Sequence, residues 1–495
     1  MRKSILFILF FCLPLVMVAQ NIGNRDIPYW TEIVTEQPEG YTVLENGDVE
    51  ISSAEGLAWL SSVVNGLNGC EPYSFEGHKV RLITDVSLYG DSCIMRFTPI
   101  GNRNHCFMGE FNGMGHRIER LTLYADGEDK TDLGLFGYLQ HAIVRNLVLK
   151  DAALFLYPYK KNYRFETWYS GSVVGVSDSL SLVENCIFIS STEDGGVGGG
   201  GVIGGIVGRN RNSTVKNCGY FSAGYNYLFG IGGGGIVGEN VCEESISDAI
   251  VANCYFIGMV MPKVVTDYGG IVCYNETTAD TNEYKAIVEN CYAYVDITES
   301  YKINRDSNWR DGYNGHIIAV NSGRSVAYNC FALAPGTYFC GLFGHNDGDA
   351  INCSGFEQNA MECRLDIPVT IGGQEVSTLL DALNLWIIEQ DDPTQYRNWV
   401  YDETVLPEFE DSNYDVPESN FSALEVLLYP NPTEDFICID GVDVAEVTVY
   451  NKLGQLVKII QNAHKINLEG LPQGVYALRI TDDRGSVVTK KVVRK

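Results

Sequence analysis

Side chains that could catalyse a reaction are scattered along this sequence. An enzyme that cleaves glycans needs acids and bases placed together, as paired carboxylates or as a metal site. The seven histidines form no His-x-x-x-His pair, and His116 lies in a glycine-rich turn sequence that favours a structural role. Acidic turns at residues 126–129 and 347–349 could hold Ca²⁺, but neither has the EF-hand spacing. We predict no catalytic residue, no metal ligand and no cofactor.

A run of aromatic residues is a better candidate for ligand binding. The aromatic insertion, residues 154–169, contains Tyr157, Tyr159, Tyr163, Trp168 and Tyr169. Aromatic rings exposed on a loop can stack against ligands, and this predicts contact with a glycan or a host protein. The alternative is a loop that packs over an apolar edge of its own domain.

Two short blocks recur on either side of this insertion and must position it. The first block has the form Gly-Gly-Ile-Val-Gly-x-Asn, and exact or looser copies end at Asn210, Asn240, Asn275, Asn321 and Asn346. The second is an apolar residue, one spacer and Asn-Cys, with asparagines at Asn185, Asn217, Asn253, Asn290, Asn329 and Asn352. Their intervals are 32, 36, 37, 39 and 23 residues. Constant motifs at elastic intervals are typical of a solenoid.

Each block reads as a short β-branched strand followed by a turn. Such a strand buries a face only when equivalent strands stack from coil to coil, about 4.8 Å apart. Asparagine tolerates the left-handed backbone conformation of a tight turn. Stacked asparagines can also bond along the stack, so each block predicts an asparagine ladder.

The cysteines of the Asn-Cys blocks should then form a column. Stacking in register brings them within disulfide reach, but small thiols also fill solenoid interiors as apolar groups. We favour an interior column of thiols. Cys70, Cys93 and Cys106, outside the blocks, are better disulfide candidates, and their pairing stays open.

Over roughly residues 130–356 the two blocks resemble the GLUG-type repeat. That resemblance implies a right-handed parallel β-helix of a bacterial surface or secreted protein. It implies no catalytic activity.

The N-terminus has the pattern of a secretory signal peptide over residues 1–19. Two basic residues precede an apolar stretch that is too short to span a membrane, and cleavage is predicted between Ala19 and Gln20. No later apolar run is long enough for a transmembrane segment. The formal net charge of −28 argues against nucleic acid and anionic membranes as partners.

The remaining chain divides into a lead segment at 20–46, a β-helix at 47–365 and a C-terminal cap at 366–409. A helix that starts at Ser52 or Ser53 is the predicted N-terminal cap, because open coil edges would recruit other strands. An acidic linker follows at 410–423 and a compact β domain at 424–495.

The last domain carries an ordered set of motifs: Tyr-Pro-Asn-Pro at 429–432, Leu-Pro-Gln-Gly-Val-Tyr at 471–476 and a basic terminus. These motifs resemble the type A sorting domain of the type IX secretion pathway. The resemblance implies a cargo that crosses the outer membrane, meets the secretion machinery and its sortase, and is attached to the surface or released. Seven short strands predict an immunoglobulin-like β-sandwich.

The sequence thus predicts an all-β, exported binding or adhesion protein with small helical caps and no enzymatic activity. A β-helix polysaccharide lyase or glycosidase is the first alternative. A structural component of a surface layer is the second.

Overall fold

Parallel strands stacked coil on coil form the first of two compact units, which ends at Arg397. Each coil runs through a five-stranded sheet, turns a corner into a seven-stranded sheet, and then crosses twice through an eighteen-stranded sheet. The predicted all-β parallel solenoid, of about six turns, is confirmed. The computed structural model describes residues 27–89, 95–125, 132–156, 169–190, 196–197, 201–226, 232–260, 267–280, 283–297, 313–334, 341–357, 364–371, 374–402, 405–409, 427–429, 433, 435–440, 444–450, 456–461, 463–482 and 487–495.

Three smaller sheets of the solenoid consist of short strands. The five-stranded sheet comprises Tyr169–Gly171, Val202–Gly204, Gly232–Gly234, Asp267–Gly269 and Asn314–Gly315. The seven-stranded sheet comprises Phe136–Gln140, Val174–Asp178, Val207–Arg211, Val237–Cys242, Val272–Thr277, Ile318–Ser322 and Phe343–Asn346. A three-stranded sheet comprises Thr122–Ala125, Ala153–Leu156 and Gly196–Val197.

The long sheet supplies the rest of each coil. Its strands are Tyr41–Val43, Val49–Ile51, Lys79–Leu82, Val86–Ser87, Glu110–Asn112, Arg117–Glu119, Ile143–Lys150, Leu182–Ser190, Thr214–Lys216, Gly219–Asn226, Ala249–Ala252, Tyr255–Val260, Ala286–Glu289, Tyr292–Ile297, Val326–Tyr328, Phe331–Ala334, Asp349–Ile351 and Ser354–Glu357. In the repeat region its strands pair in parallel and in register.

The Asn-Cys pair makes the bend inside the long sheet. Its six asparagines all have φ between 49° and 56°, a region that asparagine tolerates better than most residues. Each following cysteine donates its S–H to the carbonyl oxygen two residues earlier, at 3.1–3.5 Å. The carbonyls of Ala252, Glu289, Tyr328 and Ile351 also accept the backbone amide of the asparagine on the preceding coil, so the thiol adds a second hydrogen bond to each of them. No disulfide joins these cysteines, and Cys70 and Cys106 are free as well. Cys93, the third disulfide candidate, lies outside the described residues.

Glycines close the corner between the five- and seven-stranded sheets. A methyl group on Gly204 would lie 1.8 Å from the carbonyl oxygen of Val207, and one on Gly208 would lie 2.6 Å from the amide of Ser170. The two backbones therefore approach too closely for any side chain.

The coil interior balances large against small residues. A methyl group on Gly205 would lie 2.4 Å from the ring of Tyr220, so this glycine leaves room for the aromatic side chain. Where His316 occupies the glycine position, the aromatic position holds Ala332. Burial lowers the pKa of His316 to about 4, so the imidazole is neutral at physiological pH.

Helices α1 (Trp30–Ile33) and α2 (Ala54–Asn65) lie at the N-terminal end. The hydroxyl of Ser53 accepts a hydrogen bond from the amide of Gly56 at 3.1 Å, and Gly66 ends α2 with φ of 69°. Leu57, Leu60 and Val64 are buried. The predicted start of this helix is therefore correct.

The second unit, from Asn398 to Lys495, contains the hairpin Trp399–Asp402 and Val405–Phe409. One antiparallel sheet comprises Leu427–Tyr429, Phe436–Asp440 and Lys465–Asn467, and a second comprises Val444–Tyr450, Leu456–Gln461, Gly474–Asp482 and Val487–Arg494. Buried side chains from both sheets form one core, which includes Ile437, Val447 and Leu478. The predicted β-sandwich is confirmed.

Several sequence predictions lie outside the described residues. They are the signal peptide with Ala19 and Gln20, the linker at 410–423, and the acidic turn at 126–129. The segment 366–409, which the sequence assigned to a cap, divides between the two units, and its hairpin Arg364–Ile371 with Gln374–Thr378 belongs to the first. None of the described helices is both long and apolar enough to cross a membrane.

The asparagines of the first block form one hydrogen-bonded ladder. Each Nδ2 donates to the Oδ1 of the next coil at 2.7–2.8 Å, from Asn210 through Asn240, Asn275 and Asn321 to Asn346. The ladder stops where Ser177 stacks on Asn210. The Oγ of Ser177 and the Oδ1 of Asn210 are both buried without a hydrogen-bond partner.

Replacing Ser177 with asparagine should extend this ladder by one rung. The ladder donates toward the C-terminal coils, so the new amide would donate to the unpaired oxygen of Asn210. We expect the free energy of unfolding to rise by about 1 kcal/mol, measured by chemical denaturation. Ser177→Ala is the control, because it leaves that oxygen unpaired. A Ser177→Asn protein no more stable than the Ser177→Ala protein would contradict the prediction.

Candidate functional site

The aromatic insertion is attached to the solenoid at both ends. It leaves the strand Ala153–Leu156 and returns at Tyr169, the first residue of Tyr169–Gly171. Tyr157, Tyr159, Tyr163 and Trp168 lie outside the described residues. The prediction for Tyr169 needs correction: its side chain is only 5% exposed, so this ring is not an exposed stacking platform.

Tyr169 is held by both apolar and charged neighbours. Its ring packs with Val176 and Val202, and the guanidinium of Arg209 lies 5.0 Å from the ring centroid. The Tyr169 amide donates to Asp132 Oδ1 at 3.3 Å. The end of the insertion is thus fixed to three coils.

Asp132 also binds the exposed side chain of Arg103. The Arg103 Nε and Nη2 donate to the two carboxylate oxygens at 2.7 and 3.1 Å. These hydrogen bonds to Asp132 outweigh desolvation and raise the pKa of Arg103 above its usual value. Arg103 therefore stays charged at the edge of a polar depression that also includes Asn102, His105 and Leu67.

Charged side chains continue along the outer face of the seven-stranded sheet. The hydroxyl of Tyr138 donates to Asp178 Oδ2 at 2.5 Å, and Arg211 Nε donates to Asp178 Oδ1 at 2.8 Å. Burial raises the pKa of Asp178, but the bonds from Arg211 and Tyr138 outweigh it and hold that pKa below its usual value. Arg211 also contacts Glu243. The charges of these side chains therefore neutralise one another.

Glu276 differs from the other carboxylates on the outer face of the seven-stranded sheet. Burial and then repulsion by Glu239 raise the pKa of its carboxyl group. Glu239 itself pairs with Arg209 at 3.5 Å. A carboxyl group with a raised pKa beside a second acidic side chain is the arrangement from which glycosidases draw an acid and a base.

The residues that the sequence analysis considered for catalysis and metal binding contact neighbouring charged side chains. His116 Nδ1 lies 3.2 Å from Asp85, which also binds Arg117 through its side chain at 3.0 Å. His345 lies 2.8 Å from Asp347 in the acidic turn 347–349. Across the described part of the chain, no three His, Cys, Asp or Glu side chains are grouped as metal ligands.

The asparagines of the Asn-Cys blocks form a second ladder, of opposite direction to the first and interrupted between Asn185 and Asn217, where the described structure has no bond between the two side chains. Here each Nδ2 donates to the Oδ1 of the preceding coil, at 2.6–3.1 Å in Asn185, Asn253, Asn290, Asn329 and Asn352. Asn146 donates to Asn112 in the same way at 3.2 Å. Sequence reasoning missed these two earlier rungs, although Val144-Arg-Asn-Leu147 has the block pattern with leucine in place of cysteine.

Residues 379–397, which we call the strap, lie along this second ladder. The strap comprises helix α3 (Leu379–Ile388) and an irregular segment with a short 3-10 turn at Pro393–Gln395. Its backbone carbonyls accept hydrogen bonds from the ladder at 2.9–3.1 Å: Ala382 from Asn352, Leu383 from Asn329, Gln395 from Asn253 and Arg397 from Asn290. The segment assigned to a cap therefore covers the flank of four coils.

A carboxylate is enclosed beneath the strap. Tyr396 donates its hydroxyl to Glu289 Oε2 at 3.2 Å, and Trp386 packs between Tyr396 and Tyr328. On the adjacent coils Glu289 is flanked by Ala252 and Tyr328. Burial raises the pKa of Glu289 to about 7, against the opposing effect of the Tyr396 hydrogen bond, and Cys330 and Asp248 raise it further.

Comparison with known proteins identifies the C-terminal part. Residues 427–495 match the family described as the secretion system C-terminal sorting domain. The chain is accordingly exported to the cell surface or the extracellular space, as predicted. No curated protein matched the sequence.

Two solved structures share features of the fold. One is a candidate immunoglobulin A1 protease from Bacteroides ovatus, with 17% identity over 74% of this chain and 93% of that chain, and a TM-score of 0.44. The other is described as an IgA1 protease, with 12% identity over 92% of this chain and 36% of that chain, and a TM-score of 0.37. Likeness of this degree assigns no activity to the chain.

Docking of the strap should weaken as pH rises. The carboxyl of Glu289 has a pKa of about 7 when docked and 4.5 as an ordinary glutamate. Because the pKa of Glu289 is higher in the docked state, protonation stabilises docking. This stabilisation is complete at a pH below 4.5 and is lost as the pH rises toward 7. We expect hydrogen exchange of the amides at 379–397, corrected for intrinsic rates, to accelerate over this interval.

Glu289→Gln should remove most of this pH dependence, because a neutral amide still accepts the Tyr396 hydroxyl. Glu184→Gln is the matched control, since Glu184 holds the same position on an earlier coil and pairs with Lys216 at 3.1 Å. An unchanged exchange profile in Glu289→Gln would show that another group sets the pH response.

Proposed function

We propose that the chain is a surface-displayed binding protein whose solenoid presents the aromatic insertion to glycans or host proteins. The observation that carries the proposal is the attachment of the insertion. Its last residue, Tyr169, is fixed by Asp132 and Arg209 on a charged flank. A segment rich in aromatic residues beside charged groups suits ligands that combine apolar faces with hydroxyl or charged groups.

The sorting-domain match supports this proposal, because export brings the solenoid into contact with extracellular ligands. The repeat also favours it. Glycine, isoleucine, valine and asparagine dominate the repeated strands, and they supply shape and rigidity without reactive groups.

A β-helix glycosidase or lyase is the second candidate. The observation in its favour is Glu276, whose pKa is raised by burial and by Glu239. Against it stands the ion pairing of the neighbouring carboxylates with Arg209 and Arg211. We propose binding without catalysis.

A glycan and host-matrix array should separate these functions, probed with residues 20–495 and scored for retention and product release. We expect retention without product. Trp168→Ala with Tyr163→Ala should lower the retained signal at least tenfold, because stacking on aromatic rings contributes about 1 kcal/mol or more per ring.

Tyr89→Ala is the control, because Tyr89 is an exposed tyrosine on an N-terminal coil and should leave retention unchanged. Equal retention by the insertion variant and the wild type would exclude the insertion as the binding element. Release of reducing or unsaturated ends, abolished by Glu276→Gln, would establish the enzyme instead. A blank array would favour a structural surface component.

A further inference from the structure

The second asparagine ladder has a covered half and an open half. In the covered half, Asn253, Asn290 and Asn329 are at most 1% exposed. Each Nδ2 there uses one N–H along the ladder and the other toward a carbonyl of the strap. Both donors of each amide are satisfied.

Stacked asparagines continue uncovered through the earlier coils, although no hydrogen bond joins Asn217 to Asn185 in the described structure. Asn185 is exposed, and Asn112, Asn146 and Asn217 are half-buried. Asn146 and Asn185 donate along the ladder, and within the described residues their second N–H meets no acceptor. These four asparagines form a row of amides that we call the open ladder.

We propose that the open ladder binds an extended peptide segment of a partner protein through the backbone carbonyl oxygens of that segment. The strap shows how such a segment is held. Gln395 and Arg397, two residues apart, place their carbonyls on Asn253 and Asn290 of adjacent coils. Alternate carbonyls of an extended chain point to the same side, so this contact depends little on side chains.

The residues on the two sides of the open ladder indicate which peptide sequences would fit. On one side, Arg145, Glu184 and Lys216 occupy equivalent positions on successive coils, and Glu184 pairs with Lys216 at 3.1 Å. Under the strap the same row continues as Ala252, Glu289 and Tyr328. The open part therefore has a polar wall of alternating sign, without strong net charge.

The other side of the open ladder is apolar. Val148 and Ile187 hold equivalent positions there, and the ring of Tyr255 covers Gly219 on the next coil. Side chains of an extended peptide alternate between its two sides. The segment that fits has alternating polar and apolar residues, with no requirement for a large net charge.

Selection from a phage-displayed library of random twelve-residue peptides tests this proposal, with residues 20–495 as bait. We expect to recover peptides with alternating polar and apolar residues. Their affinities as synthetic peptides are then measured on the wild type and on Asn185→Gly, in which glycine accepts the φ of 52° but supplies no amide. One lost hydrogen bond should weaken binding about fivefold, and Asn146→Gly combined with Asn185→Gly about 25-fold.

His141→Gly is the matched control, because His141 is exposed with φ of 50° and lies in a turn away from the ladder. The His141→Gly protein should bind the peptides with the same affinity as the wild type. Asn185→Asp guards against misfolding, since it keeps the side-chain shape but repels carbonyl oxygens, and it should bind more weakly than Asn185→Gly. Failure to recover peptides, or equal affinity for wild type and both Asn185 variants, would overturn the proposal. Glycan retention that depends on Asn185 in place of peptide binding would also overturn it.

Discussion

A backbone turn with positive φ at asparagine is the constraint on which the solenoid depends. It bends the chain within the long sheet and places one amide per coil at the same height on the flank. The amide then bonds to its neighbours along the stack, and the thiol that follows donates a second hydrogen bond to the carbonyl two residues earlier. One dipeptide thus sets the bend and links each coil to its neighbour through a side-chain amide.

The sequence predicted the coils because their determinants are local. Asparagine, glycine and β-branched residues report the turn and strand conformations of their own positions, and repetition at elastic intervals reports the stacking. The strap could not be predicted in this way. Asn253 meets the backbone carbonyl of Gln395, 142 positions later in the chain, and a carbonyl oxygen carries no signature of residue type.

The predictions of functional residues were limited for the same reason. Aromatic composition located the insertion, but composition does not distinguish an exposed ring from one that packs under Arg209, as Tyr169 does. The raised pKa of Glu289 could not be predicted either, since it follows from burial beneath the strap, which the hydrogen bond from Tyr396 only partly opposes. Electrostatic properties follow from neighbours that the fold brings together.

The opposite directions of the two ladders affect the solenoid as a whole. Each side-chain amide is a dipole comparable to that of a peptide group, and a row of aligned dipoles would accumulate partial charge at its ends, as an α-helix does. One ladder points its N–H groups toward the C-terminal coils and the other toward the N-terminal coils. Their fields oppose each other, so the aligned amides build up little partial charge at either end of the stack.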